Sequence, residues 1–253
     1  MAPAPLSPLV PPTNPVAVIS DVHANLQALE SVLADITSQG VHEPVCLGDI
    51  VGYGGNPAEC VALLRASGFH CIRANHDAYA ANDAMLPDRG DAFRDGYHGM
   101  RQQLGPENSH RLAHLPFTFT NHDYEAVHTS LNHPEDWPYV LIYEVAAQHF
   151  LRQVLPLSFA GHTHQPMLWV EGNDRPLDGC GAETLRIDRK SLVNVRSVGP
   201  PRHDAPRNCY VIYHREKREV RWRRLPYDIE GAQCAIFDAG LPPKNAARLE
   251  LGK

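Results

Sequence analysis

Two histidines close the stretch Leu157-Ser158-Phe159-Ala160-Gly161-His162-Thr163-His164, from which the fold of this chain can be inferred. A short apolar run that ends at a glycine is typical of a buried strand. The two imidazoles come directly after it, separated by one residue. We therefore predict a strand that delivers His162 and His164 into a loop.

Three further apolar runs are each followed by side chains that can bind metals. The residues that follow them are Asp21 and His23, then Asp49, then Asn75-His76-Asp77. Apolar residues at helical spacing separate the runs, which predicts the order strand–helix–strand–helix–strand. Ligands of open α/β sheets bind at the carboxyl ends of the strands, so we expect these polar groups to converge.

The remainder of the chain predicts a second sheet. Residues 83–99 are predicted to be irregular, and helices are predicted over much of 97–114. Antiparallel strands are predicted at 117–120 and 124–127, 167–172, 184–188, 191–194, 208–214 and 219–225, with helices over 143–154 and 229–239. The simplest architecture is one domain over residues 16–253, with two packed sheets flanked by helices. Residues 1–15 are proline-rich, and we expect them to form a flexible segment.

Composition indicates a soluble globular protein. Of 253 residues, 43% are hydrophobic and 21% charged, and no apolar run approaches the roughly 20 residues of a membrane-spanning helix. The net charge of −6 argues against a general nucleic-acid-binding surface. The six cysteines form no CxxC pair and no secretory signal precedes the first strand, so we expect a cytoplasmic protein with reduced thiols.

The donor set predicts two transition-metal ions. Carboxylate and amide oxygens combine with imidazoles and without thiolates, which suits Mn, Fe, Zn, Co or Ni. A fourth candidate histidine ligand, His128, directly follows a predicted strand and is preferred for this reason over His122 and His133. Two ions about 3.5–4 Å apart can hold a bridging hydroxide and polarise a phosphoryl oxygen. Asp49 has two carboxylate oxygens and is able to bridge such a pair.

Five motifs, taken in order, resemble the motif set of the calcineurin-like metallophosphoesterases, and most closely that of their small bacterial phosphodiesterases. They are Ser20-Asp21-Val22-His23-Ala24-Asn25, Gly48-Asp49-Ile50-Val51-Gly52-Tyr53-Gly54, Ala74-Asn75-His76-Asp77, His128 and Gly161-His162-Thr163-His164. Each motif alone is weakly diagnostic, since an aspartate can be a helix cap or a turn residue. The ordered set, which extends from about residue 16 to 213, is specific.

The resemblance implies an α/β (α+β) fold, a four-layer α-β-β-α sandwich of two mixed sheets. It implies one metal held by Asp21, His23, Asp49 and His164. It implies a second metal held by Asp49, Asn75, His128 and His162. We favour manganese among the candidate ions.

The same resemblance implies a phosphoesterase in which a hydroxide shared by the two ions attacks phosphorus. Asp49 and His76 would be its catalytic residues, with His76 stabilising the transition state or protonating the leaving oxygen. A small phosphate ester or a nucleotide would be the substrate, with diesters preferred over monoesters. The protein-phosphatase branch carries an arginine and a glutamate where this chain has Gly52-Tyr53-Gly54 and Asp77, which argues against that branch.

Arg196 departs from the family pattern, because it replaces a small residue near the expected mouth of the site. Guanidinium groups pair well with phosphates, so we predict that Arg196 contacts the substrate.

Two alternatives remain open from the sequence. The first is a binding or scaffold module on the same fold, as in the retromer scaffold subunit, although here every ligand position is filled. The second is a nucleotide- or RNA-processing phosphoesterase that uses Trp222 and its neighbouring arginines as a docking edge. A charged sheet edge is the competing interpretation of that strand. The oligomeric state is not indicated.

Overall fold

The computed structural model describes residues 15–178, 184–202 and 205–252. The proline-rich segment predicted at the N-terminus therefore lies, except for Pro15, outside the described residues. The strands are β1 (Val16–Ile19), β2 (Glu43–Cys46), β3 (His70–Cys71), β4 (Thr118–Thr120), β5 (Glu125–Val127), β6 (Leu157–Ala160), β7 (Met167–Val170), β8 (Leu177–Asp178), β9 (Thr184–Arg186), β10 (Ser191–Asn194), β11 (Asn208–His214) and β12 (Glu219–Leu225). The helices are α1 (Leu26–Ser38), α2 (Pro57–Ala66), α3 (Asn75–Ala81), α4 (Asp91–Ala113), α5 (Tyr143–Arg152), α6 (Ile229–Asp238) and α7 (Pro243–Leu251).

Two mixed sheets form the centre of the fold. The first has the order β3-β2-β1-β11-β12-β9, and the second has the order β4-β5-β6-β10-β7-β8. In the first sheet β1 runs parallel to β2 and antiparallel to β11. In the second sheet β10 runs parallel to β6, whereas the sequence predicted only antiparallel pairing for it. The carboxyl ends of β1, β2, β3, β5 and β6 precede the five groups of predicted ligands.

Alternating side chains of β1 show how the layers are built. Val16 and Val18 face the second sheet and share a core with residues such as Phe159. Ala17 and Ile19 face the opposite way and pack with α1, α2 and α4. A third cluster joins the outer face of the second sheet to α5. The order of layers is therefore helix, sheet, sheet, helix, which confirms the predicted α-β-β-α sandwich.

The first helix begins after Asn25, a residue type that commonly caps helix N-termini. The Asn25 side chain accepts a hydrogen bond from the backbone N–H of Ala28 at 3.0 Å, and Leu29 and Val32 are fully buried. Burying each such side chain contributes roughly 1.5–3 kcal/mol. Local sequence and packing therefore agree in placing α1 directly after the Asp21–His23 turn.

Two helical segments differ from the prediction. Residues 83–99 were expected to be irregular, but α4 already begins at Asp91. Its apolar stripe includes Tyr97, Met100 and Leu104, which glycine and polar residues separate along the sequence. Helix α7 lies beyond the last predicted helix, which ends at residue 239. Its first residue is Pro243, at a helix position that proline favours. Among the described residues, no helix combines the length and apolarity needed to cross a bilayer.

Candidate metal centre

Five of the seven predicted ligands have left-handed backbone conformations. The φ angles are 54° for Asp21, 51° for His23, 50° for Asp49, 65° for His162 and 59° for His164. Such angles are uncommon for residues other than glycine and concentrate at functional sites. Each occurs just beyond a strand, where the turn directs the side chain toward a common centre.

The first ligand group consists of Asp21, His23 and His164. Asp21 Oδ1 lies 3.2 Å from His164 Nε2 and 3.8 Å from His23 Nε2. The other oxygen of this carboxylate accepts the backbone N–H of His162 at 3.0 Å. Asp21 Oδ1 is buried without a hydrogen-bond partner among the described residues. An orphaned carboxylate oxygen between two imidazoles is suited to a cation.

The tautomers of these two histidines support the same conclusion. His23 Nδ1 lies 3.2 Å from the carbonyl oxygen of Val51, and His164 Nδ1 lies 2.8 Å from that of Pro200. Donation to a carbonyl places the proton on Nδ1, so both Nε2 atoms expose lone pairs. These two Nε2 atoms are 3.2 Å apart. Facing lone pairs repel each other, and a bound cation converts that repulsion into coordination.

The second group places Asp49 between the two halves of the site. Asp49 Oδ2 lies 3.6 Å from His23 Nε2 and 3.4 Å from His128 Nε2. His128 donates from Nδ1 to the carbonyl oxygen of Leu47 at 2.8 Å, and its Nε2 lies 3.2 Å from His162 Nδ1. Asp49, His128 and His162 form one candidate ligand group, and Asp49 also belongs to a group with His23. Asp49 is thus the residue the two halves share.

Asn75 completes the donor set. It is the first residue of α3 and is 6% exposed, and its Oδ1 has no hydrogen-bond partner among the described residues. A buried amide oxygen without a donor is costly, so an ion at this position would satisfy it. The donors present therefore fit two divalent ions, and the structure brings together all seven ligands that the resemblance implied.

Burial sets the charge state of the imidazoles. It lowers the pKa of His23 and lowers the pKa of His162 to about 3. Both side chains are therefore neutral near pH 7, which is the form that binds metals. Burial also opposes protonation of His128, but the carboxylate of Asp49 outweighs it and raises the pKa of His128 to about 9. Cations would replace that proton in neutralising the buried carboxylates.

Asp77 holds the loop that carries Asp49, a role that the sequence did not reveal. Its carboxylate accepts the backbone N–H groups of Asp49 and Ile50, both at 2.9 Å, and that of Ala74 at 3.1 Å. Asp77 is fully buried at the start of α3. Its position in the sequence could have indicated this role, because an acidic residue at the third position of a helix commonly accepts a hydrogen bond from the backbone just before the helix.

His76 is positioned by a tyrosine from a different helix. The hydroxyl of Tyr97 forms a hydrogen bond with His76 Nδ1, and the backbone N–H of His76 donates to Asp49 Oδ1 at 2.9 Å. A Cβ atom at Gly52 would lie 2.4 Å from His76 Nδ1, so only glycine leaves room for this arrangement. Burial raises the pKa of Tyr97 well above its usual value, so its hydroxyl stays protonated and can donate.

A cavity of about 200 Å³ opens over the ligands. Asp49, Asn75, His76, His162 and His164 form its floor. Its walls are formed by Tyr53, Tyr79, Arg89, Phe93, Asp136, Trp137, Tyr139 and Arg202. The Tyr139 ring stacks on that of His162, with centroids 4.0 Å apart. Arg89 and Arg202 lie in irregular segments without a motif, so sequence patterns do not predict their place at the site.

Arg196 is not among the residues that line this cavity. It is 1% exposed, and its backbone, at φ 72°, is held by Asn194 Oδ1, which accepts the N–H of Arg196 at 3.1 Å. Contact between Arg196 and a substrate stays a prediction.

Trp222 does not form a docking edge. It is 2% exposed in the core between the sheets, and its indole N–H donates to the carbonyl oxygen of Asn194 at 3.1 Å. A base therefore cannot stack on it. Its strand, β12, pairs with β9 only over residues 219–221. The competing interpretation of Arg223 and Arg224 as a charged sheet edge stays a prediction. Successive side chains of β12 point to opposite faces of the sheet. Trp222 is therefore buried, whereas the arginines on either side of it are partly exposed.

Comparison with known proteins assigns the fold and the motif order to one family. The calcineurin-like phosphoesterase superfamily domain matches residues 15–218. An uncharacterized protein of Methanocaldococcus jannaschii is 34% identical over 245 residues, which cover 94% of this chain and 98% of that protein.

Solved structures agree with this assignment. A metallophosphoesterase from Sphaerobacter thermophilus is 34% identical and superposes with a TM-score of 0.86, covering 96% of this chain and all of that one. A hypothetical protein from Pyrococcus horikoshii, 18% identical, shares the fold with a TM-score of 0.75, covering 94% of this chain and 98% of that one.

Proposed function

This chain belongs to the calcineurin-like phosphoesterase superfamily, and from that premise we propose that it is a phosphoesterase with a dinuclear metal centre that prefers phosphodiesters. One observation carries the proposal. The carboxylate of Asp49 lies within 3.6 Å of His23 Nε2 on one side and 3.4 Å of His128 Nε2 on the other. A single carboxylate shared by two imidazole-containing groups is the arrangement that a pair of ions requires.

Asp21, His23, Asp49 and His164 would hold one ion, and Asp49, Asn75, His128 and His162 the other. When bound, two divalent ions, for which we favour manganese, would neutralise phosphoryl charge and supply a hydroxide nucleophile near neutral pH. The protein contributes rigidity. Three of the four histidine ligands are oriented by backbone carbonyls, and such outer contacts fix the direction in which each imidazole presents its lone pair.

His76 acts on the leaving oxygen in this proposal. Burial lowers the pKa of His76 to about 4, so its imidazole is neutral near pH 7. Donation from the Tyr97 hydroxyl to Nδ1 leaves the proton on Nε2, from which His76 can donate toward an oxygen on which charge develops. The backbone N–H of His76 donates to Asp49 Oδ1, which keeps this residue at a fixed place beside the ligands.

The walls of the cavity support a diester preference. Tyr53 borders the half that contains His23 and His76, with ring centroids 4.7 Å from each. Tyr139 borders the half that contains His162. Each aromatic wall can contact one ester substituent of a phosphorus bound between them. A diester has two such substituents and can use both walls, whereas a monoester has one and can use only one wall.

Rates on a monoaryl and a bisaryl phosphate, measured with manganese and with a chelator, test the proposal. We expect metal-dependent hydrolysis with a higher kcat/KM for the diester. Asp49→Asn should lower kcat/KM by roughly 100-fold or more, because it weakens both metal positions. Asp238→Asn, at an exposed position, should match the wild type. Equal activity of Asp49→Asn and wild type would refute the mechanism, and a folded protein inactive with every metal would favour a binding module.

A further inference from the structure

A second, larger cavity adjoins the one over the metal centre. Its volume is about 730 Å³, and it lies between α4 and α7. Both cavities are lined by Tyr53, Arg89 and Phe93. These three residues lie where the two cavities meet, so the groove is adjacent to a ligand bound at the metals. We call the space between α4 and α7 the groove.

The groove combines apolar and cationic side chains. Its apolar lining consists of Phe93, Tyr97, Met100, Leu241 and Pro242. Arg89, Lys244 and Arg248 also line it, and none of the described residues in this lining is acidic. A ligand that fits such a surface carries both a flat or apolar part and a negative charge.

The cations are placed close to aromatic rings. The guanidinium of Arg248 lies 5.2 Å from the ring centroid of Tyr53, and that of Arg89 lies 5.5 Å from the centroid of Phe93. Arg202, which lines the metal-site cavity, acts electrostatically on both Tyr53 and Arg248. Planar guanidinium groups beside aromatic faces are suited to a planar ring that is joined to a phosphate.

The position of His76 fixes which part of a substrate enters the groove. Its ring contacts Tyr53, with centroids 4.7 Å apart, and is hydrogen-bonded to Tyr97. Both of these tyrosines line the groove. If His76 donates to the leaving oxygen, then the leaving group departs toward α4 and α7, and the remainder of the ester lies on the side of Trp137 and Tyr139.

We propose that the groove binds the leaving group of the substrate, and that this leaving group contains a flat heterocyclic ring together with a second anionic group, as a nucleotide does. The ring lies against Phe93 and Tyr53, and the anionic group pairs with Lys244 and the neighbouring arginines. Hydrolysis then breaks the bond between phosphorus and the leaving oxygen, water supplies the oxygen that replaces it, and the released product is a nucleotide. The assignment of this moiety as the leaving group rests on the proposed function.

Direct binding of AMP, a ring that carries a phosphate, tests the groove without turnover. Calorimetry on the full-length protein, with manganese and again with a chelator, should show AMP binding at least ten-fold more tightly than adenosine or ribose 5-phosphate. Lys244→Ala and Phe93→Leu should each weaken AMP binding about five-fold or more, with unchanged thermal unfolding. Lys217→Ala, an exposed position in the β11–β12 turn, should bind AMP as the wild type does. Wild-type AMP affinity in both groove variants would overturn the proposal.

The ratio of kcat/KM values for two substrates distinguishes the groove proposal from the phosphoesterase proposal on which it rests. We expect kcat/KM for ADP relative to phenyl phosphate to fall about five-fold or more in Lys244→Ala, because only the first substrate has a nucleotide as its leaving group. If aryl phosphates are hydrolysed but the ratio and AMP binding do not respond to the groove variants, the groove assignment fails and the phosphoesterase stands. If AMP binding depends on the groove but no ester is hydrolysed, the groove stands and the phosphoesterase fails.

Discussion

The backbone N–H of Asp49 donates to Oδ2 of Asp77 at 2.9 Å, so a carboxylate at the start of α3 holds the residue that both metal positions share. Asp77 also accepts N–H groups from Ile50, Val51 and Ala74. One fully buried side chain thus joins the loop after β2 to the loop after β3. The bridging geometry consequently depends on a residue that would not itself touch a metal.

Asp77→Asn should weaken metal binding. An amide presents N–H groups to at least one of the backbone N–H donors, so the loop after β2 must shift. Loss of such supporting contacts typically lowers metal affinity about 10- to 100-fold. Manganese titration followed by calorimetry measures the effect, with the exposed Asp174→Asn as control. Wild-type affinity in Asp77→Asn would show that the loop is held by other contacts.

Tyr97→Phe should impair the stabilisation of poor leaving groups. The substitution removes only the hydroxyl that bonds to His76 Nδ1 and so fixes the proton on Nε2, and losing one positioned donor to a developing negative charge typically costs about 10²- to 10³-fold in rate. Across a series of aryl phosphodiesters, kcat should fall more for phenol than for nitrophenol leaving groups, which steepens the dependence on leaving-group pKa. Tyr143→Phe, on the surface of α5, should leave that dependence unchanged. An equal loss for all esters would indicate a structural role alone.

His149 should make stability depend on pH. It is fully buried, accepts the N–H of Leu131 at Nδ1 and donates from Nε2 to Ser158 Oγ at 2.8 Å. Burial lowers the pKa of His149 to about 3, while the unfolded chain has a value near 6.5. Between these values the unfolded state binds one more proton, so this contribution is complete above about pH 6.5 and is lost as the pH falls toward 3.

Urea unfolding at several pH values between 6.5 and 4 measures this effect. The free energy of unfolding of His149→Gln should depend on pH less steeply than that of the wild type, by about 1.4 kcal/mol per pH unit. The comparison concerns slopes, so a uniform loss of stability in the variant does not affect it. Parallel slopes would mean that His149 is protonated in the folded protein.

Phe159→Ala should destabilise the sandwich. The ring is 0% exposed between the two sheets, where it packs edge-on against Tyr124. Removing a buried phenylalanine typically costs about 3–5 kcal/mol. Val154→Ala, at a position that is 84% exposed, should change the free energy of unfolding by less than about 0.5 kcal/mol. Similar unfolding midpoints for the two variants would contradict the position assigned to the inter-sheet core.

The ligands could be predicted from the sequence because each follows the end of an apolar strand, and strand ends converge at one edge of a sheet. The left-handed turns at Asp21, Asp49 and His162 could not, since positive φ is uncommon even for aspartate and histidine, in which it is enriched. The pairing of Tyr97 with His76 depends on how α4 packs against α3. The burial of Trp222 likewise depends on which face of β12 meets the second sheet.

Helix α7 was missed for a local reason, and the groove was missed with it. Proline is common both just after a helix end and at the first position of a helix, so Pro242-Pro243 alone does not predict that a helix begins there. Lys244 and Arg248 then had no element to place them beside Tyr53. The sequence therefore could not assign Lys244 and Arg248 to the candidate site, because it did not predict the helix that carries them.

The bridging role of Asp49 is most directly tested by anomalous diffraction from crystals grown with manganese. Our account predicts two peaks about 3.5–4 Å apart, with the Asp49 carboxylate between them, one peak beside Asp21, His23 and His164 and the other beside Asn75, His128 and His162. A single peak, or two peaks that Asp49 does not join, would contradict the account.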